Sequence, residues 1–492
     1  MKNAVQLICY ADRLGGTLHG LRELLAGPFA GLFGGVHLLP FFHPIDGTDA
    51  GFDPIDHTQV DPRLGSWQDV QALAGEVEVM ADVIVNHMSC RSPQFLDYAA
   101  HGRNSRFDGM FLTLDSVFPR GASEEDLLAI YRPRPGLPFT AMTLADGARR
   151  ILWTTFTAEQ VDIDVRHPEG TRYLDSILAM LSRHGVRMIR LDAVGYAIKK
   201  AGHSCFMMPE TFGFIREFSA RARARGLEVL VEIHSHYEQQ VRIARQVDCV
   251  YDFALPPLVL QAFFQGTARH LKQWIAIRPV NALTVLDTHD GIGVIDAGAD
   301  AADPANHPGL LPAADIDALV ETIHRNSRGE SLRATGAAAS NLDLYQVNCT
   351  FYDALARDDR RYLLARAIQF FLPGIPQVYY VGLLAGRNDM DLLARTHVGR
   401  DINRRHYTRG EIDEAMGRPV VRDLFALIRL RNTHAAFGGE FAMVESTDAV
   451  LELRWAAGAE EASLRVDLAS GEHRIDCSGA TPRFELLNAV AA

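Results

Sequence analysis

The chain has 492 residues, 48% hydrophobic and 9% aromatic, with 40 Gly and 22 Pro, enough for one large domain with additions or for several domains. That apolar content excludes extensive disorder. Lys and Arg number 49 against 61 Asp and Glu, a net charge of −12, so no general positive field gathers nucleic acid or anionic lipid, and neither is expected as a partner. The densest basic run, 216–225, falls on a predicted helix and reads as a solvated face.

Cys9, Cys90, Cys205, Cys249, Cys349 and Cys477 are widely spread without a CxxC pair, so they read as reduced thiols rather than as a disulfide or zinc framework. The apolar stretch that follows Met1-Lys2-Asn3 is too short for a signal-peptide core, and a cytoplasmic location is the expectation. The best membrane candidate, 362–386, is interrupted by Arg366, Gln369, Pro373, Pro376 and Gln377 and reads as buried helix, loop and strand.

In chain order, short apolar runs bounded by turn residues predict strands at 5–9, 35–39, 79–85, 186–191, 228–233, 248–253, 283–286 and 377–381. Stretches of helical period lie between them. Tyr173, Leu174, Ile177, Leu178 and Leu181 share one helical face before the fourth strand; Phe214, Ile215, Phe218 and Ala222 share another after it. Eight strands with intervening helices predict an α/β fold, a (β/α)8 TIM barrel, although the period alone also fits an open parallel sheet. The gaps at 86–166 and 292–356 are too long for simple connections and predict two inserted subdomains on the active-site face. From 436 to 492 the pattern changes to alternation, as in Leu451-Glu452-Leu453-Arg454-Trp455, which predicts a small C-terminal β-sheet domain. The barrel itself then occupies 1–85, 167–291 and 357–435.

Four polar clusters fall near the ends of predicted strands: Asp82 to His87, Arg190-Leu191-Asp192, Glu232-Ile233-His234 and Asp287-Thr288-His289-Asp290. The spacing lets Asp192, Glu232 and Asp290 meet at one barrel mouth. Paired carboxylates suit glycosyl transfer, because the leaving oxygen needs a proton while the anomeric carbon needs a nucleophile or negative charge. Arg190, two residues before Asp192, points to the same side of its strand and is expected to keep that carboxylate ionised.

These clusters, as Asp82-Val-Ile-Val-Asn86-His87, Arg190-Leu-Asp192, Glu232 and His289-Asp290, resemble the four signature regions of the α-amylase superfamily of glycoside hydrolases. Longer stretches resemble its sucrose phosphorylases: 49–57, 131–136, 339–346 and 399–403. The resemblance runs from Met1 to about residue 435 and is looser beyond. It implies Asp192 as the nucleophile that forms a β-glucosyl ester, Glu232 as acid/base and Asp290 as stabiliser of the transition state. It further implies that Asp49, His87, His289 and Arg400 bind glucose hydroxyls, with Phe52 and Phe156 against the ring. Phosphate or the acceptor would meet Tyr131, Arg134, Tyr196, Ile233, His234, Asp343, Leu344, Tyr345 and Gln346.

The reaction so implied converts sucrose and inorganic phosphate to α-glucose 1-phosphate and fructose, and the resemblance also suggests a homodimer. Phosphate must compete with water at about 55 M, which calls for an oriented anion site, and Arg134 between Pro133 and Pro135 is the candidate. Ile233 and Arg405 stand where valine and histidine are frequent in the resembling enzymes, leaving acceptor choice open. A hydrolase or transglucosidase of the same superfamily is the nearest alternative, and a non-catalytic binding partner the more distant one. No cofactor is expected, since no Gly-rich phosphate loop follows a strand and His234-Ser235-His236 lacks further ligands at metal spacing.

Overall fold

The computed structural model describes residues 1–47, 49–133, 136–300, 303–335, 346–479 and 484–487. Eight parallel strands close into a barrel in chain order: β1 Gln6–Cys9, β2 Gly35–Leu38, β3 Glu78–Ile84, β4 Met188–Asp192, β5 Glu228–Val231, β6 Cys249–Asp252, β7 Ala282–Thr284 and β8 Ile375–Tyr379. All eight predicted strands are present with ends shifted by a few residues, and β1 pairing with β8 decides for the closed barrel over an open sheet. Burial on both faces explains why these segments read as continuous apolar runs instead of alternating ones.

Helix α1, Pro168–Arg183, starts with Pro at its first turn and buries Leu174, Ile177, Leu178 and Leu181 against the sheet. Helix α2, Pro209–Arg223, does the same with Phe212, Phe214, Ile215, Phe218 and Ala222. The stretch 362–386, read as buried helix, loop and strand, is the buried helix α3, Asp359–Phe371, followed by β8. No helix among the described residues is long and apolar enough to cross a membrane.

Between β3 and β4 the chain builds a helix at Pro93–His101 and an antiparallel hairpin of Phe139–Thr143 with Arg149–Trp153. After β7 it forms the helix Ala313–Asn326, and Ile292–Gly293 pairs with Gln346–Val347. A four-stranded antiparallel sheet closes the chain: β9 Glu440–Met443, β10 Val450–Ala457, β11 Glu460–Asp467 and β12 His473–Cys477. It docks on α3, where the buried Trp455 indole donates to the Phe371 carbonyl at 2.7 Å.

The barrel interior is partly polar. His37 on β2, Asp82 on β3 and Arg190 on β4 are wholly or almost wholly buried and form a bonded column, with His37 Nε2 3.1 Å and Arg190 Nη1 2.6 Å from the Asp82 carboxylate. Burial would raise the Asp82 carboxyl, but His37 and Arg190 outweigh it and hold the group at about 2. This column ends at the carboxyl ends of the strands, which is where the site lies.

Candidate active site

Side chains alternate along a strand, so Arg190 and Asp192 on β4 face the barrel axis together. Arg190 Nη1 donates to Asp192 Oδ1 at 2.9 Å, and its Nη2 lies 3.8 Å from Glu232 Oε1. Ala193, immediately after Asp192, adopts a left-handed conformation with φ of 52°, uncommon for a residue with a Cβ. The turn aims its amide at Glu232, which accepts that N–H at 3.3 Å. Two carboxylates from adjacent strands are thereby fixed side by side. Burial pushes the Asp192 carboxyl upward, Arg190 pulls it down, and Glu232, Asp82 and Asp290 push it up again. The expected pairing with Arg190 at 2.9 Å does favour the charged form, but burial together with the neighbouring carboxylates outweighs it and leaves the carboxyl raised.

Asp290 reaches the same cavity from farther away. β7 ends at Thr284 rather than 286, so Asp290 sits six residues beyond the strand on a loop that other groups must hold. Arg366 donates to Asp287 at 2.6 Å, Asn403 to the Thr288 carbonyl at 2.9 Å, and Arg404 to the His289 carbonyl at 2.9 Å. Arg400 Nη1 lies 2.9 Å from Asp290 Oδ1 and 4.0 Å from Asp49 Oδ2. Burial would raise the Asp290 carboxyl, but Arg400 and the neighbouring histidines and arginines hold it far below the usual carboxylate range.

The cavity is lined by Asp192, Glu232 and Asp290 together with Asp49, Phe52 and His87. Phe156, Tyr196, Ile233, His234, His289, Gln346 and Arg400 complete its predicted members. Phe52 stacks on His289 with ring centroids 4.9 Å apart and planes 10° off parallel, making a flat wall. Arg190 lies beneath the floor and Tyr131 borders the neighbouring cavity instead. Arg134, Asp343, Leu344 and Tyr345 lie outside the described residues. Burial would hold His234 neutral, but Asp296 at 2.9 Å, with Glu232 and Asp290 nearby, outweighs it and raises the imidazole. Glu232, His234 and Asp290 bring one ligand-capable atom each within 4.8 Å of one another, making them the group among the described residues that could hold a metal ion; Arg190 beside Glu232 competes with any cation there.

Four lining residues escaped the sequence reading: Gln160, Ala193, Gly195 and Phe206. So did two buried cations. Arg404, 1% exposed, lies 3.7 Å from Asp49 and 4.0 Å from Asp290. Lys199 contacts Asp162 at 2.7 Å, Asn86 Oδ1 at 2.9 Å and the Tyr196 carbonyl. Asp162 in turn accepts from the Thr155 amide and hydroxyl at 3.0 and 2.5 Å, next to Phe156. Lys199 thus joins the segments carrying His87, Phe156 and Tyr196. Lys199→Met strands Asp162 as a buried unpaired charge and is expected to cost about 3–5 kcal/mol by denaturant unfolding; adding Asp162→Asn restores part of it.

Two buried histidines weaken the fold in acid. Burial pushes His57 from 6.5 down to about 4 and His289 down to about 3. The unfolded chain takes up these protons below pH 6.5 while the folded chain refuses them, so stability is full above that pH and falls with acidification. Between pH 6.5 and 5 their contribution is expected to fall by about 2 kcal/mol per histidine, against an opposite contribution from His234 and Asp192, which are raised in the folded chain; the drop in thermal midpoint from pH 7 to pH 5 is therefore expected to be smaller in His57→Gln than in wild type.

The catalytic-domain profile of the α-amylase family matches residues 16–273. A sucrose phosphorylase of Agrobacterium vitis is 60% identical over 97% of this chain and 98% of its own length. The chain belongs to the sucrose phosphorylase family. A second member, from Bifidobacterium adolescentis, is 56% identical over 94% of this chain and 92% of its own. The crystal structure of a sucrose 6F-phosphate phosphorylase from Thermoanaerobacter thermosaccharolyticum superposes with a TM-score of 0.89 at 37% identity, covering 98% of both chains.

Proposed function

We propose that this chain catalyses the reversible phosphorolysis of sucrose to α-glucose 1-phosphate and fructose, with retention at the anomeric carbon. The observation that carries the reading is the Asp192, Glu232 and Asp290 cavity over Arg190, in a chain 60% and 56% identical to two sucrose phosphorylases. Asp192 attacks the anomeric carbon as Glu232 protonates the departing fructosyl oxygen, and a β-glucosyl ester forms. Asp290, held anionic by Arg400, offsets the positive charge that develops on the ring. Phosphate then opens the ester from the face that fructose left, so two inversions give retention.

The glucose ring takes Asp49, His87, His289 and Arg400 at its hydroxyls and Phe52 and Phe156 at its faces. Tyr131, Tyr196, Ile233, His234 and Gln346, with Asp343, Leu344 and Tyr345, form the acceptor side. Arg134 supplies phosphate with a planar donor fork. We read 86–166 and 292–356 as inserted subdomains framing this mouth, the protein as a cytoplasmic homodimer, and other hydroxyl acceptors as a side route. All six cysteines are free thiols, which supports a reducing compartment.

The test is glucose 1-phosphate release against a panel of sucrose, sucrose 6′-phosphate, glucosylglycerol and glucosylglycerate, with phosphate varied. Stoichiometric product from sucrose is expected; free glucose alone would assign a hydrolase. Arg134→Ala is expected to cut phosphate's advantage over water by about 10- to 100-fold, read as the ratio of glucose 1-phosphate to glucose.

A further inference from the structure

Beside the catalytic cavity lies a second one of about 220 Å³, and Phe206 lines both. The residue they share is held firmly. Cys205 and Met207, which flank Phe206, both take left-handed backbone with φ of 55° and 47°, a conformation costly to residues bearing a Cβ. Met207 donates its amide to the Gly195 carbonyl at 2.9 Å, and a Cβ on Gly195 would meet the Phe206 ring at 2.7 Å. The glycine three residues after Asp192 therefore makes room for the ring that borders both cavities. Tyr131 stacks on Phe206 with centroids 4.4 Å apart and planes 19° off parallel, and Tyr196 packs against it at 4.7 Å.

The loop after β5 serves both cavities. Ile233 and His234 line the catalytic cavity, while Ser235 and His236 line the outer one. Opposite the aromatic pair, Met207, Ile295 and Ala299 give apolar surface, and Ser235, Gln239 and Asp300 give polar groups. Gln239, on the helix Tyr237–Ala244, carries an amide oxygen that is buried without a hydrogen-bond partner. A buried acceptor left unmet is costly, and a small turn of this side chain toward the cavity it lines would let a bound hydroxyl meet it. None of the described lining residues is Lys or Arg, and Asp300 disfavours an anion.

Aromatic faces beside a few hydrogen-bonding groups suit a sugar ring, which is apolar on its faces and hydroxylated at its edge. We propose that this outer cavity is a subsite for the second sugar ring of a disaccharide acceptor whose first ring occupies the acceptor side of the catalytic cavity. The inference rests on the glucosyl transfer proposed above. A hydroxyl of the first ring attacks the glucosyl ester, its proton passes to Glu232, and the ester C–O bond breaks to return the Asp192 carboxylate and leave a trisaccharide. The second ring takes no part in the chemistry and contributes binding alone, so it acts on KM.

The experiment measures glucosyl transfer from sucrose, without phosphate, to glycerol and to maltose, alongside phosphorolysis of sucrose. Ala299→Trp fills the outer cavity and is expected to raise KM for maltose about 10-fold or more while leaving glycerol transfer and phosphorolysis within about twofold. Gln239→Leu removes the unmet acceptor and is expected to raise KM for maltose about fivefold with the same selectivity, providing the test should the tryptophan variant fail to fold. An unchanged ratio of maltose to glycerol transfer, a parallel loss on both, or wild-type protein that glucosylates glycerol but not maltose overturns the subsite. Wild-type protein that releases no glucose 1-phosphate from sucrose and phosphate overturns the underlying reading instead.

Discussion

Asp192→Ala is expected to leave the barrel folded and to lower turnover on sucrose by about four orders of magnitude or more, because the covalent route is lost. The fold should survive for a specific reason. Removing this carboxylate leaves Arg190 bonded to Asp82 at 2.6 Å and 3.8 Å from Glu232, so no buried cation is stranded. Asp192 also sits at the cavity surface, where its side chain contributes little packing. Initial rates of glucose 1-phosphate formation, with a thermal melt on the same sample, separate chemistry from stability. A folded variant with near-wild-type turnover sinks the assignment of the nucleophile. Removing Asp82 instead should act mainly on stability, since it takes from His37 its carboxylate partner and leaves Arg190 held only from the site end, by Asp192 and Glu232.

The contrast between those two aspartates shows what the sequence carried and what it did not. The eight strands were legible because burial on both faces leaves a continuous apolar run, and Arg190 with Asp192 was legible because period-two alternation puts both on the axis. Asp82 was visible as part of a polar cluster, but its bond to His37 joins residues 45 apart, brought together by the pairing of β2 with β3. Lys199 reads in sequence as one of two adjacent lysines suited to a surface; its burial follows from Asp162 and Asn86, which arrive from elements far away in the chain. Arg404 likewise reads as one member of a basic pair, yet it is buried against Asp49 and the Asp290 loop while Arg405 pairs with Glu411 nearer the surface. Phe206 gave no periodic signal because it stands between two left-handed residues, outside helix and strand. The position of Asp290 was inferred through a strand end that the structure places earlier, and its carboxylate is held by Arg400 on a loop fastened by Arg366, Asn403 and Arg404. Chemistry borne on strands was thus readable from local period, whereas the groups that position it depend on contacts distant in sequence.

Glu232→Gln separates proton transfer from nucleophilic attack. The variant keeps an oxygen able to accept the Ala193 amide, which Glu232 accepts at 3.3 Å, and keeps the shape of the side chain beside Arg190. What it loses is the proton for the departing oxygen. Fructose is a poor leaving group without protonation, so turnover on sucrose is expected to fall about 10²- to 10⁴-fold, the usual worth of a positioned general acid. With α-glucosyl fluoride the leaving group departs with little protonation, and with phosphate as acceptor the incoming oxygen is already anionic. Formation of glucose 1-phosphate from that pair is therefore expected to fall less than about 10-fold. The measurement is the ratio of kcat/KM on the two donors in wild type and variant, taken at one phosphate concentration so that the second half-reaction is held constant. A rise in that ratio by two orders of magnitude or more places Glu232 at the leaving oxygen. Equal losses on both donors would falsify the proton-donor role and reduce Glu232 to a charge that helps hold Arg190 and the Ala193 turn beneath the nucleophile.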